Sequence, residues 1–335
     1  MLEKQEVLAL LSDNHVRTLR IICNEYELLD GSKRLLVRRV GDGSIITRFE
    51  KTPPPTKPTD VVCPHFLELK WATGCPFSCA WCYLNGTLRF MPRKSQPSVK
   101  PYDKIEHHVR TFLENVDGCG ELLNTGELAD SLMHEKNGHP FSKFIISLFQ
   151  EQETHKVLFL TKSRHVQHLL DINGQRQAVI SFSLNADEMA KRFEKIAPAV
   201  ADRIDAASRL SGAGYEVRIR IDPMVPVRNW REQYVRLIDD IFAKFIPSRI
   251  TLGSLRGLQS TINMATDKSW VDYLSEKSNW GKRIDSDTRY LMYHILIEYL
   301  KEEFDYTDVA LCKETITIWN RLGMDYKKII CNCLL

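Results

Sequence analysis

"AVISFSLNADEMAKRFEKIAPAVADRIDAASRLSGAGYEVRIRIDP", residues 178–223, holds two β-type runs separated by helical segments and a Gly-Ala-Gly turn. The runs AVISFSLN (178–185) and EVRIRIDP (216–223) are rich in β-branched and aromatic residues. Between them, VADRIDAASRLSGAG (200–214) repeats its apolar residues at helical spacing and closes on glycines. A strand, a crossover helix and a second strand make a parallel unit with a right-handed connection.

The same alternation extends in both directions. FLELKW (66–71), ELLNTGE (121–127), KVLFLTK (156–162) and RITLGSL (249–255) read as further strands. Amphipathic stretches lie between them, among them DKIEHHVRTFLENV (103–116), HPFSKFIISLFQEQ (139–152) and NWREQYVRLIDDIFAKF (229–245). Six strands with intervening helices predict an α/β fold, either an open doubly wound sheet or a partial (β/α)6 TIM-type barrel, and the barrel is the expectation adopted. An N-terminal β-ribbon turning at Gly41–Gly43 and the proline-rich KTPPPTKPTD (51–60) precede it, and a C-terminal helical tail follows. The expected segments are 1–60, 61–257 and 258–335.

In such folds reactive groups gather at the carboxyl ends of the strands. Those ends carry Asn124, Thr125, Gly126 and Glu127, then Thr161 and Lys162, then Ser183 and Asn185, then Asp222. Alternation puts Ser181, Ser183 and Asn185 on one face, and Arg218, Arg220 and Asp222 likewise. Val217, Ile219 and Ile221 then face the helices. The inner face is therefore expected to be polar, with a buried Arg218–Asp222 ion pair as the structural alternative.

The 335 residues carry a net charge of +3, which neither demands nor excludes a nucleic-acid partner. No apolar run reaches the length of a membrane span and no signal peptide is evident, so the expected location is cytoplasmic. Nine cysteines in that compartment suggest metal binding or catalysis more than disulfides. Three of them, Cys75, Cys79 and Cys82, lie in GCPFSCAWCYL with C-x3-C-x2-C spacing. Four thiolates close a tetrahedral zinc site, whereas three bound to a four-iron cluster leave one iron open. A zinc site completed by Cys63 or Cys119 is the alternative.

This triplet, in a loop after the first strand of a β/α series, resembles the radical S-adenosylmethionine superfamily. The resemblance implies a [4Fe–4S] cluster on Cys75, Cys79 and Cys82 whose open iron binds S-adenosylmethionine. It also implies reductive cleavage to a 5′-deoxyadenosyl radical that takes a hydrogen atom from a substrate. Trp81 then stands where the backbone meets adenine. Asn124-Thr125-Gly126-Glu127 resembles the superfamily's Gly-Gly-Glu motif, which gives Glu127 the methionine ammonium. Over about residues 60–257, CPFSCAWCYL, VLFLTKSRHVQHLLD (157–171), ISFSLNA (180–186) and RIDAASRLSGAGYEVRIRIDPM (203–224) resemble the spore photoproduct lyase family, which repairs a methylene-bridged thymine dimer in DNA.

That resemblance implies that Lys162 and Ser183 help hold S-adenosylmethionine; the strand-end reading adds Gly126, Asn185, Arg218, Arg220 and Asp222 as cofactor or substrate residues of the lumen. The resemblance also implies a one-electron reductant such as flavodoxin or ferredoxin. Two positions depart from the family. Asn124 stands where a cysteine returns a hydrogen atom to the product radical, and Trp81 replaces one of two tyrosines, the other being Tyr83. A non-DNA substrate (RNA, a peptide or a small metabolite) is therefore the alternative, and a non-catalytic iron–sulfur or zinc protein the third possibility. The basic stretch RFMPRKSQPSVKPYDK (89–104) could meet phosphates and bases. Cys63, Cys312, Cys331 and Cys333 make four further thiols, expected to hold a second iron–sulfur cluster or a zinc that fastens the tail to the barrel flank.

Overall fold

The computed structural model describes residues 19–91, 95–116, 118, 120–136, 138–173 and 175–335. Its frame is a ten-stranded sheet whose spatial order follows the chain. Strands β1 (Ile21–Glu27), β2 (Lys33–Val40) and β3 (Ile46–Phe49) run antiparallel. β3 pairs antiparallel with β4 (Phe66–Leu69). From β4 onward every pairing is parallel: β5 (Leu122–Asn124), β6 (Lys156–Thr161), β7 (Ala178–Leu184), β8 (Glu216–Met224), β9 (Arg249–Ser254) and β10 (Val309–Leu311).

The crossovers are helical: α1 (Tyr102–Asn115), α2 (Phe141–Phe149), α3 (Val200–Gly212), α4 (Trp230–Phe242) and α5 (Ser286–Phe304). Val217, Ile219 and Ile221 of β8 are buried in one cluster with Ile204, Ala207 and Leu210 of α3 and Leu237 and Ile241 of α4. This is the helix-facing side expected from alternation. The fold is thus mixed α/β around a parallel sheet, arranged as a partial barrel. No helix among the described residues is long and apolar enough to cross a membrane.

The expected number of parallel strands is corrected from six to seven. β10 comes from the stretch expected to be a helical tail, so that stretch is only partly helical. The three-residue VAL run is too short to stand out from its surroundings in sequence. The sheet also takes strands from all three expected segments. The ribbon turns through Gly41 and Gly43, both at positive φ, and continues into the main sheet through β3. Arg48 of β3 fixes that junction, donating to the Val37 carbonyl at 2.7 Å and pairing with Glu121.

Glu314 and Thr315 pair antiparallel with Val62 and Val61, which brings Cys63 beside the end of β10. Glu314 is fully buried. It takes Arg283 at 2.9 Å and Arg289 at 3.3 Å, and accepts from the Tyr293 hydroxyl at 3.1 Å. Burial by itself would raise its carboxyl, but Arg283 and Arg289 outweigh burial and hold it below the ordinary value. The hairpin Glu276–Ser278/Gly281–Arg283 extends Arg256–Gly257 into a small sheet, so SEKSNWGKR (275–283) is anchored at its base. Its Asn279 accepts from the Val61 amide at 3.0 Å.

Removing one partner of a buried charge set strands the others, at a cost of about 3–5 kcal/mol. Glu314→Ala should therefore lower unfolding stability by about that amount in urea titration, and a loss under about 1 kcal/mol would show that Arg283 and Arg289 have other support.

Candidate active site

The carboxyl ends of β5 to β9 open into a chamber of about 310 Å³, partly open to solvent. The cysteine loop caps it. Its backbone is tied down by the Gly74 amide to the Leu128 carbonyl at 2.9 Å and the Ala80 amide to the Phe193 carbonyl at 2.8 Å. The Asn85 amide nitrogen donates to the Cys79 and Ala80 carbonyls at 3.1 and 3.2 Å. Ser78 takes a positive φ of 47° at the turn between the first two cysteines.

Cys75, Cys79 and Cys82 line the chamber with Trp81, Tyr83, Gly126, Glu127, Lys162, Ser183, Arg220 and Asp222. Burial, and then Asp130, push the Cys75 thiol up to about 12. Burial, and then Glu194, push Cys79 well above its ordinary value. Two desolvated thiols and a third, partly buried one on the same short loop suit a cationic group that draws them into the thiolate form. The donor set therefore fits an iron–sulfur cluster.

Glu127 is held from two sides. The Asn124 side-chain nitrogen donates to its carboxylate at 3.1 Å, while the Asn124 Oδ1 accepts from the Gly126 amide at 2.8 Å. The Tyr83 hydroxyl donates to the Glu127 carbonyl and stands 3.2 Å from its carboxylate. Asn124 is buried behind Glu127 and does not line the chamber, so its place is to orient the carboxylate. Gly126 is required by packing, because a Cβ there would lie 2.5 Å from the Leu160 Cβ.

Lys162 reaches Glu194 at 3.5 Å, and Glu194 pairs in turn with the buried Arg203 at 2.6 Å. Burial would lower the Lys162 ammonium, but Glu194 and Cys79 outweigh burial and hold it up. Arg203 also donates to the Ser183 carbonyl at 3.1 Å, locking the end of β7. Trp81 packs against Phe193, with ring centroids 4.7 Å apart. Glu194 and Arg203 were not singled out from sequence. Both lie outside the strand ends, and only the close approach of two helices to β7 joins them to Lys162.

Two placements differ from expectation, and the Arg218–Asp222 pair offered as the alternative does not form. Asp222 pairs with Arg256, at 2.8 and 3.0 Å, and not with Arg218. Burial would raise the Asp222 carboxyl, and Arg256 outweighs it and lowers it. Gly253 makes room for this pair, since a Cβ there would meet the Asp222 carboxyl carbon at 2.5 Å. Arg218 does not reach the chamber. It donates to the Asn332 carbonyl at 3.1 Å and to the Leu334 carbonyl, and pairs with Glu216. Asn185 is buried behind the strand ends, donating to the Pro223 carbonyl at 2.8 Å and accepting from Tyr234 and the Ala186 amide.

Cys63, Cys312, Cys331 and Cys333 line the same chamber and not an outer flank. Lys313 donates to Cys63 at 3.2 Å, Arg256 to Cys312 at 3.4 Å and Arg220 to Cys333 at 3.0 Å. Burial, and then Asp222, push the Cys312 thiol up to about 12, and Cys63 adds in the same direction. A hydrogen bond from Cys331, with Arg220 beside it, holds Cys333 below the ordinary thiol range. Cys119, Arg93 and Lys94 lie outside the described residues. Of the other basic groups in 89–104, Lys100 donates to the Ser44 carbonyl, and Lys104 lies 3.8 Å from Asp42.

A family model described as spore photoproduct lyase matches residues 59–253. The spore photoproduct lyase of Bacillus subtilis (strain 168) is 27% identical over 238 residues, covering 64% of this chain and 65% of that protein. The spore photoproduct lyase of Geobacillus sp. (strain Y412MC61) is 26% identical over 226 residues, covering 63% and 64%. The alignments thus span just under two thirds of these relatives. A solved spore photoproduct lyase complexed with dinucleoside spore photoproduct superposes with a TM-score of 0.63 at 19% identity, covering 76% of this chain and 77% of that one. A mutant form with bound AdoMet and the same dinucleoside gives 0.62 at 19% identity, with the same coverage.

Glu194→Ala would leave Arg203 buried without its carboxylate and Lys162 without its anchor. A stability loss of about 3–5 kcal/mol is expected by chemical denaturation, and Glu194→Gln should recover part of it through the retained hydrogen bond.

Proposed function

We propose, for a chain that belongs to the spore photoproduct lyase family and so to the radical S-adenosylmethionine superfamily, that it is a radical enzyme of lyase-like type. The observation that carries this is the meeting of Cys75, Cys79 and Cys82 with Glu127, Lys162 and Ser183 in one chamber at the strand ends. Cys75, Cys79 and Cys82 would hold a [4Fe–4S] cluster, with S-adenosylmethionine beside it. The chemistry these groups supply when bound is reductive cleavage to a 5′-deoxyadenosyl radical and hydrogen abstraction from the substrate.

The chain's own residues bind, orient and exclude water. Glu127, fixed by Asn124 and Tyr83, offers a carboxylate to the methionine ammonium. Lys162, kept charged by Glu194, offers an ammonium to the methionine carboxylate. Ser183, on a strand end locked by Arg203, adds a short polar contact. Trp81, packed on Phe193, supplies an apolar wall. Reductive cleavage would take up one electron per turnover, so a small one-electron carrier such as flavodoxin or ferredoxin is the proposed redox partner.

For the substrate, the family and its solved complexes support a pyrimidine photoproduct in DNA. A second possibility, radical modification of a different substrate, is favoured by Asn124. An amide has no weak X–H bond to give up, so it cannot return a hydrogen atom as a thiol at that position would.

Anaerobic protein given S-adenosylmethionine and dithionite should form 5′-deoxyadenosine and methionine, and Cys79→Ala should abolish both. A cluster-loaded protein that forms neither would overturn the radical assignment. Conversion of dinucleoside spore photoproduct to thymidine would select the DNA substrate. Cleavage of S-adenosylmethionine without that conversion would select the other. Asn124→Ala, which frees Glu127, should weaken S-adenosylmethionine binding about 10-fold with iron content unchanged.

A further inference from the structure

Seven of the eight described cysteines line the one chamber, and Cys23 alone lies elsewhere, exposed. Three of the seven belong to the loop already described. The other four come from separate parts of the chain: Cys63 after the short strand Val61–Val62, Cys312 after β10, and Cys331 and Cys333 from the segment 329–335. Three of these four thiols each stand beside a cation, which a purely apolar packing role does not call for.

The segment carrying the last two is fixed with unusual care. Asn332, fully buried, donates to the Ser181 hydroxyl and the Ile219 carbonyl, each at 2.9 Å. Its Oδ1 accepts from the Thr251 hydroxyl at 2.8 Å, and its backbone amide donates back to that hydroxyl at 3.1 Å. Arg249 donates to the Cys331 and Leu334 carbonyls at 2.9 and 3.1 Å, and Arg218 holds the Asn332 and Leu334 carbonyls. Asn332 is turned into the sheet while the residues on either side of it line the chamber.

We propose that Cys63, Cys312, Cys331 and Cys333 hold a second four-iron cluster that faces the same chamber as the first. Four cysteines are the full ligand set of such a cluster, with no open iron. Cys331, Cys333 and Cys63 pack together, and Cys63 lies near enough to Cys312 to raise its thiol. An all-cysteine cluster is anionic, and its burial needs compensating cations with N–H groups aimed at sulfur. Lys313, Arg256 and Arg220 provide one such contact each to Cys63, Cys312 and Cys333. Contacts of this kind raise a cluster's potential, which makes it easier to reduce.

The test uses anaerobically prepared full chain and needs no turnover. Wild type should carry about eight iron and eight sulfide per chain, as two four-iron clusters by Mössbauer spectroscopy. The Cys75→Ala/Cys79→Ala/Cys82→Ala protein should keep half of each, with the spectrum of a fully cysteine-ligated cluster. Cys63→Ser/Cys312→Ser/Cys331→Ser/Cys333→Ser should also keep half. If that variant fails to fold, judged by circular dichroism, the triple-alanine protein decides by itself. The second cluster is overturned if the triple-alanine protein holds no iron, or if it holds one zinc in place of iron. It is equally overturned if the four thiols titrate freely in metal-loaded wild type, which would leave Cys333 as a thiol 3.9 Å from Asn124. If instead the first cluster is the error, the triple-alanine protein will match wild type in iron.

Discussion

The inner face of the parallel sheet carries Ser181, Arg218, Arg249 and Thr251 where most barrels carry branched aliphatic side chains. Polar groups in such a place must be bonded, since an unsatisfied buried donor costs about 1–3 kcal/mol and a charged one more. Residues 331–335 meet that requirement. Asn332 bonds β7, β8 and β9 together, and the carbonyls on either side of it receive the two arginines. The barrel and the segment depend on each other: without the segment Arg249 and Arg218 lose the carbonyls they donate to, Arg218 keeping only Glu216, and without that lining the segment loses its anchors.

This arrangement also decides what the chamber is made of. Its lower part is occupied by chain, and Cys333 is brought up against Arg220 and Asn124. Charge inside is arranged in short paired runs. Lys162, Glu194 and Arg203 form one, reaching from the chamber wall into the core. Asp222 and Arg256 form another, ending on Cys312. Glu314, two residues beyond Cys312, anchors that strand end to α5 and the 276–283 hairpin through Arg289 and Arg283. Lys162 and Arg256 are thus positioned by carboxylates behind them, whereas Lys313 is held over the Phe49 and Trp280 rings.

Much of this was legible from residue order. Period-two runs with intervening amphipathic helices located six parallel strands, and the C-x3-C-x2-C spacing with its strand context pointed to the family chemistry. The strand-end rule put Glu127, Lys162 and Ser183 at the site, and the chamber contains all three. It misplaced Arg218 and Asn185 because alternation specifies a face but not a height along the strand. Arg218 sits two residues below Arg220, low enough to meet the segment instead of the cavity.

Local pattern alone determined six of the seven parallel strands and which cysteines belong to one loop, because those signals lie within a few residues of one another. Only the tertiary structure decided that Asp222 pairs with Arg256, that Glu194 joins Lys162 to Arg203, and that β10 completes the parallel run. It also decided that cysteines as far apart in sequence as 63 and 333 share a wall. Each of these depends on segments separated by tens to hundreds of residues meeting in space. Such meetings are set by the closure of the sheet and by the need to bond every polar group inside it, and neither leaves a periodic trace in sequence.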